Sequence, residues 1–200
     1  HFVPSVTEEK QIVVNGMGAS HRNSPFANSG IVVELRPGDL TEYAQYGELC
    51  GLRFQEDLER LAFNNNGGGL QIAPAQRLAD FAKGKLSNSL PDCSYLPGII
   101  SSPLHFWLPE RIGKRLQEGF KAFDRKMRGY LTNEAVVVGV ESRSSSPIRI
   151  PRNIDTYEHP QISGLYPAGE GSGYAGGITS SAMDGENCAE AIAKKLKIES

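Results

Sequence analysis

The stretch Gly164-Leu-Tyr-Pro-Ala-Gly-Glu170-Gly-Ser-Gly-Tyr-Ala-Gly-Gly177-Ile-Thr-Ser-Ser-Ala-Met-Asp-Gly185 decides how the rest of this chain is read. Ile162 to Pro167 reads as the end of a strand, and Gly169, Gly171, Gly173, Gly176 and Gly177 as a loop in which backbone presses close to a ligand, because no Cβ intervenes. From Ile178 the pattern turns helical: Ile178, Ala182, Gly185, Ala189, Ile192 and Leu196 recur three or four apart and mark one mostly small face suited to lie near a sheet. The first turn of such a helix offers unpaired N–H groups at the positive end of the dipole, which favour an anion such as a phosphate. Glu170, just ahead, is a carboxylate and accepts hydrogen bonds from sugar or polyol hydroxyls. A hydroxyl acceptor beside an anion site points to a nucleotide-like ligand.

Further motifs lie outward from this loop. Glu141-Ser-Arg-Ser-Ser-Ser-Pro-Ile-Arg-Ile150 surrounds Arg143 with hydroxyls and carries a second guanidinium, Arg149. Val14-Asn-Gly-Met17 stands near the start. Together with Leu165 to Gly177 these motifs resemble a bacterial family of NAD(FAD)-utilizing, FAD-dependent dehydrogenases among the two-dinucleotide-binding-domain flavoproteins, and the resemblance covers nearly the whole chain. In that superfamily a strand ends in a small-Gly-acid element whose acid bonds a ribityl hydroxyl of FAD, and the following helix faces the pyrophosphate and flavin ring. Ala168-Gly169-Glu170 matches the element, with Glu for the commoner Asp. The resemblance implies a flavin site made of Gly169, Glu170, Gly171, Gly173, Tyr174, Gly176, Gly177 and Ile178. Tyr174 either covers the ring edge or packs on the sheet. Arg143 and Arg149 either stabilise an anionic reduced flavin or bind a substrate carboxylate; as residues alone they read equally as a polar turn between strands. Hydride transfer to or from an unknown small molecule, with NAD(P)H as a further partner, is the chemistry implied.

The adenosine half of such a site is missing. No G-x-G-x-x-G opens a helix after an N-terminal strand, and Gly67-Gly-Gly69 is better read as the stop of the helix before it. His1-Phe-Val-Pro also begins abruptly. The expectation is the C-terminal fragment of a longer flavoprotein, partnered by an N-terminal FAD-binding half. Residues 1–133 would form an inserted substrate-side domain, and 134–200 the C-terminal part of a Rossmann-like FAD-binding domain. In isolation the chain would be inactive, with weak or absent FAD binding, and the surface left bare would favour self-association. A cofactor-free binding module is the alternative for the isolated chain, and a phosphate ligand held by the glycine loop alone is the third reading.

Composition narrows the class. The 200 residues suit one domain or one plus part of another, and 39% hydrophobic residues suffice for a core. A net charge of −2 gives no electrostatic footprint for nucleic acid. The longest apolar run, Ala135 to Val140, is too short to span a bilayer. Cys50, Cys93 and Cys188 are scattered and odd in number, which fits reduced thiols in a cytoplasmic protein and gives no metal-ligand spacing. No P-loop or nucleophile elbow is present.

For fold, the chain reads as mixed α/β of the α+β kind: an antiparallel sheet with helices, then a strand-loop-helix return. Phe2–Val6 and Gln11–Asn15 read as paired strands, and Ile31–Leu35 as a third. The loop from Gly18 to Ser29 carries Ser20, His21, Arg22 and Asn23. It reads either as a solvated connection or as a substrate-facing loop in which His21 is a catalytic candidate. Helices are expected over Leu49–Asn64, Pro74–Lys83 and from Pro109, the last with a buried stripe of Ile112, Leu116, Phe120, Phe123 and Met127. Ser87–Leu108 reads as an ordered loop with His105 packed within it. Ala135–Val140, apolar on both faces, reads as a central strand.

Overall fold

The computed structural model describes residues 2–5, 7–18, 20–69 and 71–197. In chain order the elements are β1 (Phe2–Pro4), β2 (Val14–Gly16), α1 (Cys50–Asn64), β3 (Ala73–Arg77), α2 (Leu78–Lys83), β4 (Ile99–Ser101), α3 (Leu104–Trp107), α4 (Glu110–Lys126), β5 (Val136–Val138) and α5 (Ile178–Leu196). Short 3-10 turns precede α1 at Pro37–Asp39 and Thr41–Leu49, the second kinked at Gly47. The class is the expected α+β. Among the described residues no helix is long and apolar enough to cross a membrane. The chain divides into two compact units, His1–Asp39 with Gln55–Ser142, and Leu40–Phe54 with Arg143–Ser200.

The first unit is built on a three-stranded sheet of order β4-β3-β5. β3 runs parallel to β4, with Ala73 opposite Ile99, and antiparallel to β5, with Gln76 opposite Val137. The expectation of a helix over Pro74–Lys83 is therefore half wrong: the segment is strand to Arg77 and helix only from Leu78. Ala-Pro-Ala is poor strand material by propensity. It succeeds here because the strand is buried along Ala73–Gln76 and Pro74 lies just beyond the register with β5, where its missing N–H is not called on. The carbonyl of Pro74 still accepts the Gly139 N–H at 3.0 Å.

With β3 at the centre, β5 becomes an edge strand. This corrects the reading of Ala135–Val140 as central: Val136–Val138 is only partly buried. Past the strand, Val140 O accepts the Val14 N–H at 2.9 Å. β1 and β2 pair antiparallel, Val3 opposite Asn15, as expected; the end of the first predicted strand, Val6, lies outside the described residues. Ile31–Leu35 forms no strand. Its side chains do alternate between partly buried and exposed, the period of a strand, but no neighbouring backbone completes a ladder.

Helices cover this sheet by an apolar stripe. Phe81 on α2 is fully buried and meets Phe120 of α4 edge to face at 5.8 Å, a packing that contributes a few kcal/mol with the burial of one such ring at about 2–3 kcal/mol. Tyr130 then stacks on Phe120 at 6.5 Å. Met127, expected in the stripe, is 54% exposed because it lies past the last helical turn. The segment Ser87–Leu108 is ordered as expected but holds β4 and α3. Trp107 on α3 donates its indole N–H to Ser102 Oγ at 3.0 Å, and the ring of His105 rests against the buried Gln76 amide. α1 stops where the glycine run begins, with Asn66 Oδ1 accepting the Gly68 N–H at 2.9 Å.

Candidate functional site

The glycine loop belongs to the second unit, and two surprises attend it. Ile162–Pro167 is not a strand: the chain bends and turns through Ile162–Gly164 and is irregular from Leu165 to Pro167. His159 Nδ1 accepts the N–H groups of Gln161 and Ile162, both at 3.1 Å, which curls the chain where a strand was expected. The helix α5 forms as expected, yet a different face is inward. Ile178 is 91% exposed and Leu196 61% exposed. Ala182 and Ala189 are exposed too. The covered positions are Ser181, Asp184, Gly185, Cys188, Ala191, Ile192 and Ala193. Of the expected stripe only Gly185 and Ile192 are covered, and the inward face is organised by a carboxylate instead.

That carboxylate is Asp184. Its Oδ1 takes Arg152 Nη2 at 2.6 Å, and its Oδ2 takes Arg152 Nη1 at 2.9 Å and the Gly169 N–H at 2.8 Å. Arg152 Nη1 also donates to Pro167 O at 2.7 Å and lies 3.4 Å from Cys188 Sγ. Both side chains are about nine-tenths buried, at 9% and 11% exposure. A forked guanidinium on a carboxylate is the pairing that tolerates such burial, because both oxygens and the facing N–H groups are satisfied. The Arg152 hydrogen bonds hold the Asp184 carboxyl below its ordinary 3.8, against the opposing effect of burial, and the Gly169 N–H adds to them. Burial pushes the Cys188 thiol up.

From this anchor the loop folds back on itself. Gly173 N–H reaches Glu170 O at 2.9 Å, and Tyr174 N–H reaches Gly169 O at 3.1 Å. Ser172 O accepts from Ile150 N–H at 3.2 Å, and the Ser146 hydroxyl lies within 3.2 Å of Gly171 O. Gly173 has φ +83°, and a Cβ there would stand 2.7 Å from Ile148 O, so the close approach predicted for a glycine is made here to the chain's own backbone. Gly171 and Gly176 differ: a Cβ on either would meet nothing within 4 Å, so their backbone faces open space. Gly177 is the extended N-cap of α5, and no side chain caps the helix among the described residues.

The structure places the predicted residues as follows. Gly169 to Ile178 run in one continuous loop and helix start, with Glu170 half-buried and its carboxylate making no hydrogen bond or ion pair among the described residues. Tyr174 is engaged inside its own unit: its hydroxyl donates to Ile150 O at 2.9 Å, and its ring carries the guanidinium of Arg152 at 3.6 Å and that of Arg149 at 4.4 Å. Arg149 is exposed and pairs with no carboxylate among the described residues. Arg143 is exposed at the start of the same segment. His21 lies on an exposed turn of the other unit. In that unit Ser142 donates to the buried Glu59 at 2.7 Å, burial pushes the Glu141 carboxyl up, and Gly30 leaves room for that carboxyl, since a Cβ there would stand 3.2 Å from Glu141 Oε2. Arg152 and Asp184 were missed. Their signal was an acid on the helical face of a small-residue segment, which has to find a cation once buried.

A flavin dinucleotide can be tested against this donor set. An uncapped helix start, open backbone at Gly171 and Gly176, an unused half-buried carboxylate and a guanidinium that pairs with no carboxylate among the described residues suit a ligand that carries phosphate and hydroxyl groups together. The residues present thus fit the flavin and phosphate end of FAD.

Residues 1–144 match the family described as FAD-dependent protein, C-terminal domain-like. The chain is also 39% identical, over 198 residues and 98% of its length, to an uncharacterized protein of Clostridium beijerinckii. It spans 36% of that relative, about a third of its length. With well over half of the chain matched, it belongs to the FAD-dependent protein, C-terminal domain-like family.

Proposed function

We propose that the chain is the C-terminal portion of an FAD-dependent oxidoreductase, in which residues 134–200 complete an FAD-binding domain and residues 1–133 form the substrate side. The observation that carries this reading is the half-buried, unpartnered Glu170 next to the uncapped start of α5. Family membership and the 36% coverage of the relative support it, since they leave room for a dinucleotide-binding half elsewhere.

In this reading Glu170 accepts a ribityl hydroxyl. The N–H groups of the first turn of α5 face the phosphates, and Gly171 and Gly176 let backbone approach without a side chain between. Arg149, whose guanidinium lies 4.4 Å over the Tyr174 ring, directs positive charge to an anionic group, with Arg143 as its companion. The flavin, when bound, supplies hydride transfer, and the chain supplies placement and electrostatics.

The test is an FAD titration followed by quenching of flavin fluorescence, in the longer protein this reading implies, with and without Glu170→Ala. Loss of a hydrogen bond to a charged acceptor is worth about 1.5–3 kcal/mol, so Kd should rise roughly ten- to a hundredfold. An unchanged Kd with the fold intact would remove Glu170 from the site. For the 200-residue chain alone, a cofactor-free binding module is the second reading. It is favoured by the exposed Ile178, Met183 and Leu196 on α5. A colourless purified chain that self-associates would support it.

A further inference from the structure

We infer that Arg152 and Asp184 are positioning residues for the flavin site: the buried pair sets where Glu170 points. This rests on the flavin reading above. Asp184 bridges the two ends of the loop. On one side it is fixed in the body of α5, one turn and a half past the uncapped N-terminus. On the other it holds the Gly169 N–H at 2.8 Å, and Gly169 is the residue before Glu170. Arg152 closes the clamp by gripping Pro167 O at 2.7 Å, two residues before Gly169. Pro167, Gly169 and the start of α5 are therefore referred to one buried ion pair, and Glu170 is the side chain between them.

The same guanidinium also lies against two rings, at 3.6 Å over Tyr174 and 4.5 Å over Tyr157. Tyr174 in turn follows Gly173, whose position against Ile148 permits no side chain. Arg152 thus has little freedom of its own, which is what a reference point for another group requires. Gly169, at φ +74°, would otherwise be free to rotate, and its N–H bond to Asp184 removes that freedom.

A purely stabilising ion pair and a positioning one differ in a double-mutant cycle. Take Asp184→Asn, Glu170→Ala and the double variant in the full-length protein, and measure FAD Kd by fluorescence quenching together with amide exchange at Gly169. Asp184→Asn keeps the volume and an acceptor but removes the charge that holds Arg152. The expected result is a loss of about tenfold in FAD affinity in the wild-type background and little further loss when Glu170 is already Ala, because the pair acts through that carboxylate. Amide exchange at Gly169 should rise while that of the later turns of α5 stays protected. Equal losses in both backgrounds would overturn the positioning role and leave the pair as structure alone. An unaltered Kd for Glu170→Ala, or no FAD binding by the unaltered protein, would instead sink the flavin reading and this inference with it. If Asp184→Asn does not fold, Arg152→Lys serves in the same cycle, since Lys keeps the charge and loses the fork.

Discussion

The two units of this molecule are held together by different means. The first buries Ile12, Val13, Val14, Ala73, Ala75, Phe81, Leu104 and Phe120 in an ordinary apolar core. The second buries only Pro167, Asp184 and Cys188 among its described residues, and leaves Ile154, Ile162, Ile178, Met183 and Leu196 exposed. Its order comes from a forked ion pair, guanidinium groups lying over tyrosine rings and a loop of backbone hydrogen bonds. The difference teaches what kind of job each region is built for. Apolar burial is non-directional and tolerates small shifts, so it makes a good scaffold. Hydrogen bonds and a paired charge are directional, so they fix a loop in one conformation at the cost of a strong dependence on each partner.

The contrast can be broken at its strongest point first. Phe81→Ala in the first unit should cost roughly 3–5 kcal/mol, the usual penalty for emptying a buried aromatic site. Denaturant unfolding followed by circular dichroism checks it; a loss under about 1 kcal/mol would mean that the core of that unit is not what holds it. Next, Arg152→Ala should destabilise the second unit by about 3 kcal/mol, because it strands Asp184 without its partner. The loss should appear as faster amide exchange in α5 and not in α4.

The sign of the pH dependence follows from the same pair. Asp184 titrates lower in the folded chain than its ordinary 3.8, so its contribution is present above that pH and disappears as the pH falls through the lowered value. Asp184→Asn should therefore be less stable than the natural chain at neutral pH, with the gap closing below about pH 4. A gap that persists in acid would show that packing and not charge holds the loop. A smaller effect is expected from Gly173→Ala, about 2 kcal/mol, since the new methyl would meet Ile148 O and the backbone is left-handed. Smallest of all, Ile154→Ser should change stability by less than about 0.5 kcal/mol, because the side chain is 84% exposed. A larger loss would mean that the exposed apolar residues of the second unit hold it after all.

The sequence carried the long helices well. α1 begins and ends within a residue of where periodicity and the glycine run put it, and α4 and α5 begin within a residue of Pro109 and Ile178, because each signal is local. Local signals also explain the failures. Pro74 was read as a helix start, yet the strand it sits in is decided by β4 and β5, tens of residues away. Ile31–Leu35 has the alternation of a strand and lacks only a neighbour, which no local pattern reveals. Of the candidate site, the glycine loop stands out in the sequence, and the role proposed for Glu170 comes from the resemblance of Ala168-Gly169-Glu170 to a small-Gly-acid element. Arg152 and Asp184 were not. They are 32 residues apart, belong to an irregular segment and a helix, and declare themselves only when both are buried against each other. The wrong face chosen for α5 has the same origin: Ile178 and Leu196 fit an apolar stripe, and only the pairing of Asp184 shows which side is covered.

Trp107, the only tryptophan of the chain, sits on α3 in the first unit with its indole tied to Ser102. Its emission therefore reports the melting of that unit alone, whereas peptide ellipticity reports both. Wherever the two curves separate along a temperature ramp, the gap is the transition of the second unit, read from one unlabelled sample.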